Sequence, residues 1–144
     1  MVFVGGAIAR QSLASTPEID YNITMSNRRI LFIDDDEFLR ECTCWMLSDL
    51  GYDVVVENGG RKAVERFQDS PGSFDLVLTD LMMADMTGDM VAQSIHAIRP
   101  DVPVVVMTGT PGSLVGKPEA AGISKVLPKP LTKRELGEAL RNVK

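Results

Sequence analysis

From Arg28 onward, short apolar runs alternate with segments in which apolar residues return at helical spacing. Ile30–Ile33 is uninterrupted and β-rich and stops at Asp34, Asp35 and Asp36, which predicts a buried strand. Asp36–Leu50 carries Leu39, Cys42, Met46, Leu47 and Leu50 near the helical period and is stopped by Gly51. A second strand, Tyr52–Val56, and a second helix, Gly60–Gln68, follow. After the turn signal Ser70-Pro71-Gly72-Ser73 comes a third strand, Phe74–Thr79. Thr87–Ile98 reads as a third helix with Val91, Ile95 and Ile98 on one face, closed by Pro100. Val102–Met107 is nearly all valine, the pattern of a strand covered on both faces. A short fifth strand is expected at Lys125–Leu127. The final helix is expected at Thr132–Val143, with Thr132 and Glu135 spaced for a capping box. Between the last two strands, Pro111 and Pro118 leave room for only a short, irregular fourth helix around Pro118–Ala121.

Strands alternating with helices, the first and fourth strands being continuous and apolar, predict a doubly wound α/β domain around a five-stranded parallel sheet. Residues 1–27 lack this alternation and contain Pro17 with several Ser, Thr and Asn, so they read as an extension without a fold of its own. The domain then covers residues 28–144. A chain of 144 residues with 44% hydrophobic and 24% charged residues has the composition of one globular domain. No apolar run nears the roughly 18 residues of a membrane-spanning helix. Val2–Ala9 is apolar, but its first cation, Arg10, comes after the run rather than before it, so no export signal is read and the cytoplasm is the expected location. Cys42 and Cys44 lie two apart in a helix and face away from each other, which fits reduced thiols rather than a disulfide. Fifteen basic residues against twenty acidic ones leave a charge of −5, which disfavours direct binding to a nucleic-acid backbone.

In open parallel sheets, ligands bind beyond the carboxyl ends of the strands. Strand one ends in Asp34 and Asp35, strand three in Asp80, strand four in Thr108, and strand five leads to Lys129-Pro130. Three carboxylates, a hydroxyl and an ammonium therefore converge on one rim. Three neighbouring carboxylates repel unless cations balance them. Mg²⁺ at +2 and Lys129 at +1 do so, and Mg²⁺ commonly bridges carboxylate to phosphate. In such a neutralised site a carboxylate can act as nucleophile towards a phosphoryl group.

Taken together, the apolar run ending in Asp34-Asp35, Asp75-Leu-Val-Leu-Thr-Asp80-Leu-Met-Met, Gly88, Val106-Met-Thr108 and Lys129-Pro130-Leu131 resemble the receiver domain of two-component response regulators. The resemblance runs from Arg28 to the end. It implies a flavodoxin-like (βα)5 sheet in strand order 2-1-3-4-5. Asp80 would be the phosphoacceptor, taking its phosphoryl group from a phosphohistidine on a sensor histidine kinase or a histidine phosphotransfer protein. Asp34, Asp35, Asp80 and the carbonyl of Met82 would hold Mg²⁺, with Asp35 and Asp36 as the alternative register for the first pair. Thr108 and Lys129 would contact the phosphoryl oxygens, with Gly109 beside them, and Pro130 would follow a cis peptide that aims the lysine inward. The output would be a changed surface read by a downstream protein, with self-phosphorylation and self-dephosphorylation in place of external turnover. Gly122–Leu131 looks similar to receivers of hybrid sensor kinases, which suggests a phosphorelay role.

The chain departs from the family at three places. Ala84 stands where proline is usual, Gly109 where alanine is usual, and Val126 where an aromatic residue often rotates as a readout. A degenerate receiver that binds proteins without phosphorylation is the alternative reading. A phosphatase of the haloacid dehalogenase type would want an acid where this chain has Met82, and a nucleotide binder would want a glycine-rich loop after strand one. His96, the single histidine, reads as a surface helix residue, and Asp85 and Asp89 as solvated loop charges. Trp45 lies off the face set by Leu39, Cys42, Met46 and Leu50. It is either a half-buried lid on the helix end or part of a kinase-docking surface with Arg40, Glu41 and Cys44.

Overall fold

The computed structural model describes residues 28–110, 112 and 118–143. The expected extension, residues 1–27, and the proline at 111 lie outside the described residues. Five strands, β1 (Arg29–Ile33), β2 (Asp53–Glu57), β3 (Leu76–Asp80), β4 (Val104–Thr108) and β5 (Lys125–Pro128), form one sheet in the order β2-β1-β3-β4-β5. Every neighbouring pair is parallel, with Ile30 beside both Val54 and Leu76, and Val106 beside both Thr79 and Val126. Among the described residues four α-helices cover them: α1 (Glu37–Asp49), α2 (Gly60–Asp69), α3 (Gly88–Ile98) and α4 (Lys133–Arg141). The doubly wound architecture expected from the alternation is what forms.

The two faces of the sheet take alternate residues of each strand, as the pleat dictates. Leu31, Ile33, Val77, Val104 and Val106 pack with Ala63, Phe67, Val91 and Ile95 of α2 and α3. Ile30, Phe32, Leu76, Leu78, Val105 and Met107 pack with Leu47 of α1 and with Leu136 and Leu140 of α4. β1, β3 and β4 are thus buried on both sides. Their uninterrupted apolar runs are the sequence record of that burial.

Several boundaries move for local reasons. β3 starts at Leu76 rather than Phe74, because Pro71–Ser73 forms a 3-10 turn and the Phe74 ring stacks on Phe67, 5.8 Å between centroids. β4 starts after Pro103, which has no N–H for a ladder bond, and runs on to Thr108. Asp80 and Thr108 are consequently the last residues of their strands. The expected fourth helix is a single 3-10 turn, Pro118–Ala121.

The expected face of α1 holds at Met46 and Leu47 and fails at Leu39 and Cys42. Leu47 is fully buried and Cys44 and Met46 pack beside it, whereas Leu39 is 41% exposed and Cys42 is also exposed. Asp36 caps this helix, accepting from the Leu39 N–H at 3.0 Å. At the last helix Thr132 and Glu135 form the expected reciprocal capping box.

Candidate functional site

β1 and β3 deliver the acids because both strands end where their apolar side chains do. Asp34 is 1% exposed and Asp80 9%, while Asp35 lies open to solvent. Oxygens of the three carboxylates lie within 4.8 Å of one another. Lys129, carried in from the end of β5, sets Nζ 3.0 Å from Asp80 Oδ1 and 3.9 Å from Asp34 Oδ2. The Lys129–Pro130 peptide is cis. Thr108 stands at the end of the neighbouring strand, and its Oγ1 accepts from the Thr110 N–H at 3.0 Å. Among the described residues, a side chain at Gly109 would meet nothing within 4 Å.

The Asp34 carboxylate is held at one oxygen and bare at the other. Oδ1 accepts from the Asp36 N–H at 2.9 Å. Oδ2 is buried and accepts no hydrogen bond among the described residues, its nearest cation being Lys129 Nζ at 3.9 Å. Burial raises the Asp34 pKa above the ordinary carboxylate value, and the charge on Asp80 adds to the rise, while the Asp36 N–H and Lys129 oppose it. An orphaned buried carboxylate oxygen, two further acids and one lysine make an oxygen-rich pocket short of positive charge. That donor set fits a hard divalent cation such as Mg²⁺.

The loop after β3 folds back onto the site. Asp80 Oδ1 accepts from the Leu81 N–H at 3.0 Å, and the Gly88 N–H donates to the Leu81 carbonyl at 2.7 Å. A Cβ on Gly88 would lie 2.7 Å from the Asp80 carbonyl oxygen, so glycine is required for this close approach. Met82 is 60% exposed at the rim. The Asp36 side chain serves α1 as its cap and is not one of the clustered acids, so the pair beside Asp80 is Asp34 and Asp35.

Other residues sit differently from their sequence reading. Asp85 is exposed, as read, but also engaged: its carboxylate accepts from the Gly60 N–H at 3.1 Å and the Arg61 N–H at 2.9 Å. Those bonds, Arg61 first, hold its pKa below the ordinary value. His96 is half-buried, with Nε2 2.7 Å from the Val102 carbonyl and its ring against Gly122, which has φ +83°. Arg40 turns inward and donates to the Asp34 carbonyl at 2.9 Å. Cys44 packs into the core face, leaving Glu41 and Trp45 on the open side.

Trp45 is 63% exposed and so is no half-buried lid; Lys133 Nζ rides over its ring at 5.7 Å and pairs with Asp49. Phe38, 71% exposed, shares its face and was missed from sequence. The signal was the spacing Phe38, Cys42, Trp45, a helical face of which the periodicity took only Cys42. Beside it, Leu39, Cys42, Met46, Leu131 and Leu136 line a groove of about 380 Å³ that ends at Asp34 and Lys129.

Comparisons with known proteins place the fold in a family. The family model of the response regulator receiver domain matches residues 30–141. The receiver protein CpdR of Brucella abortus (strain 2308) is 36% identical over 110 residues, which are 76% of this chain and 90% of that protein. The transcriptional regulatory protein ZraR of Escherichia coli (strain K12) is 40% identical over 88 residues, 60% of this chain but only 19% of ZraR. The crystal structure of the response regulator TrrA of Thermotoga maritima in complex with Mg²⁺ and BeF superposes with a TM-score of 0.69 at 26% identity, covering 79% of this chain and 96% of that one. The chain belongs to the response regulator receiver domain family of two-component signalling. No helix among the described residues is long and apolar enough to cross a membrane.

Proposed function

We propose that this domain accepts a phosphoryl group on Asp80 from a phosphohistidine and signals through the resulting change of its surface. The observation that carries the reading is the pairing of Asp80 Oδ1 with Lys129 at 3.0 Å beside the orphaned Oδ2 of Asp34. Among the described residues both partners of the Asp80 carboxylate act on Oδ1, which leaves Oδ2 to attack phosphorus. The new P–O bond forms as the P–N bond to imidazole breaks, and the imidazole leaves with the electron pair and takes up a proton. Asp34, Asp35 and Asp80, with the Met82 carbonyl, would hold Mg²⁺, which neutralises phosphoryl charge when bound. Lys129 pairs with a phosphoryl oxygen, Thr108 donates its hydroxyl to another, and Gly109 keeps that side open.

The donor would be a sensor histidine kinase or a histidine phosphotransfer protein, and the reader a downstream protein. The docking surface is the open face of α1, with Phe38, Glu41 and Trp45 as contacts and Arg40 supporting the acid loop from behind. Cys44 serves packing in this scheme. A phosphorelay role for the domain, its place in the cytoplasm and the absence of turnover of an external substrate belong to the same reading. Treatment with phosphoramidate, a small P–N donor, and Mg²⁺ tests it, followed by borohydride reduction and peptide mapping. The expected product is reduction confined to Asp80. An unmodified Asp80 in folded protein would favour the phosphorylation-independent binding module.

A further inference from the structure

The acid cluster and the N-terminus of α2 are joined by one short piece of chain. α2 has no cap of its own: Gly59 occupies the cap position, and no acid lies in the first turn. Asp85 fills that role from the loop after β3, with one carboxylate oxygen on Gly60 N–H and the other on Arg61 N–H. The two glycines make room for the contact. A Cβ on Gly59 would lie 3.1 Å from Asp85 Oδ2, and one on Gly60 would lie 2.8 Å from the Cβ of Met86. A carboxylate on two helix N–H groups is a strong anchor, because the bonds are charge-assisted and the helix end is positive. One residue earlier, the Ala84 N–H donates to Asp35 Oδ2 at 2.9 Å. Proline at this position would have no such donor.

We propose that Asp85 is a positioning residue for the metal site: by anchoring the loop on α2 it fixes the Ala84 N–H, which orients the Asp35 carboxylate towards Asp34 and Asp80. The inference rests on the reading of the three aspartates as the Mg²⁺ site. A carboxylate has two oxygens, so a hydrogen bond that fixes Oδ2 directs Oδ1, and loss of such an orienting partner typically weakens metal binding about 10–100-fold. Asp85 is not one of the three clustered acids, so a purely structural cap would leave metal affinity unchanged.

The test is calorimetric Mg²⁺ titration of the full chain, paired with amide hydrogen exchange. Asp85→Ala is expected to weaken Mg²⁺ affinity about tenfold, the lower end of that range, and to lose protection at Gly60, Arg61 and Ala84 together. Asp85→Asn, which keeps an acceptor for one of the two N–H groups, is expected to fall between. Ala84→Pro removes the donor while leaving Asp85 in place, and is expected to weaken Mg²⁺ binding with the α2 amides still protected. It also carries the test if Asp85→Ala does not fold. Wild-type Mg²⁺ affinity in Asp85→Ala despite lost α2 protection, or unchanged or tighter affinity in Ala84→Pro, would overturn the inference alone. Failure of the wild type to bind Mg²⁺ would overturn the reading of the site and the inference with it.

Discussion

Asp34 shows most plainly what the site costs the fold. It is buried, one oxygen is bare, and its pKa is raised first by desolvation and then by Asp80. A raised folded-state pKa means the native protein holds this proton more tightly than the unfolded chain does. Charging Asp34 therefore costs stability above the ordinary carboxylate value of 3.8, with the full cost present once the pH exceeds the raised pKa. Asp34→Asn is expected to melt higher than wild type at pH 7 in chelator, with the difference closing as the pH falls below 3.8. Added Mg²⁺ should raise the wild type and not the variant. A wild type that melts higher than Asp34→Asn in chelator at pH 7 would contradict this account.

Gly88 is a second residue-scale case. Its missing Cβ would lie 2.7 Å from the Asp80 carbonyl and 3.1 Å from Leu81 Cα, both main chain and unable to swing aside. Gly88→Ala should lose about 1–3 kcal/mol in urea unfolding, the range typical of overpacking. The rim residues were legible because strand ends put chemistry at fixed places: Asp34, Asp80, Thr108 and Lys129 follow from where apolar runs stop. Asp85 was not legible, because the helix it caps lies 24 positions away in sequence, and no local pattern records a contact of that range.

At the scale of elements, sequence predicted best where one rule governs. The Thr132–Glu135 box is local chemistry and forms as expected. Thr132→Ala should cost about 1 kcal/mol, read as a lower melting temperature. α1 was read in part: Met46 and Leu47 pack as expected, but Leu39 and Cys42 satisfy helical spacing as well as the residues that are buried. The choice between two stripes is made by packing: Leu47 and Cys44 meet the sheet, and Leu39 and Cys42 are left to the groove beside Lys129. The same packing leaves Phe38 and Trp45 outward. Exposed aromatics of this kind commonly anchor interfaces. Phe38→Ala and Trp45→Ala should each slow phosphotransfer from a cognate histidine-phosphorylated partner tenfold or more, while leaving phosphorylation by a small-molecule donor within about twofold. An equal loss with both donors would place these residues in the chemistry rather than in docking.

At the scale of the molecule, the strand order β2-β1-β3-β4-β5 is what unites the parts. It sets β1 beside β3 and β3 beside β4, so acids far apart in sequence share one rim with a threonine. β5 at the edge swings its following loop, with Lys129, back over Asp80. The connection before β5 is a 3-10 turn at Pro118–Ala121, and Val126 is half-buried on the face shared with α2 and α3. An output that relies on an aromatic rotating at that strand has no ring to use here. The central claim is that Asp80 accepts phosphate within a Mg²⁺-dependent site. The most direct test is intact mass after incubation with acetyl phosphate and Mg²⁺, beside an Asp80→Asn variant and a chelator control. The account predicts a gain of one phosphoryl group in the wild type and none in either control. No gain in folded wild type, or an equal gain in Asp80→Asn, would contradict it.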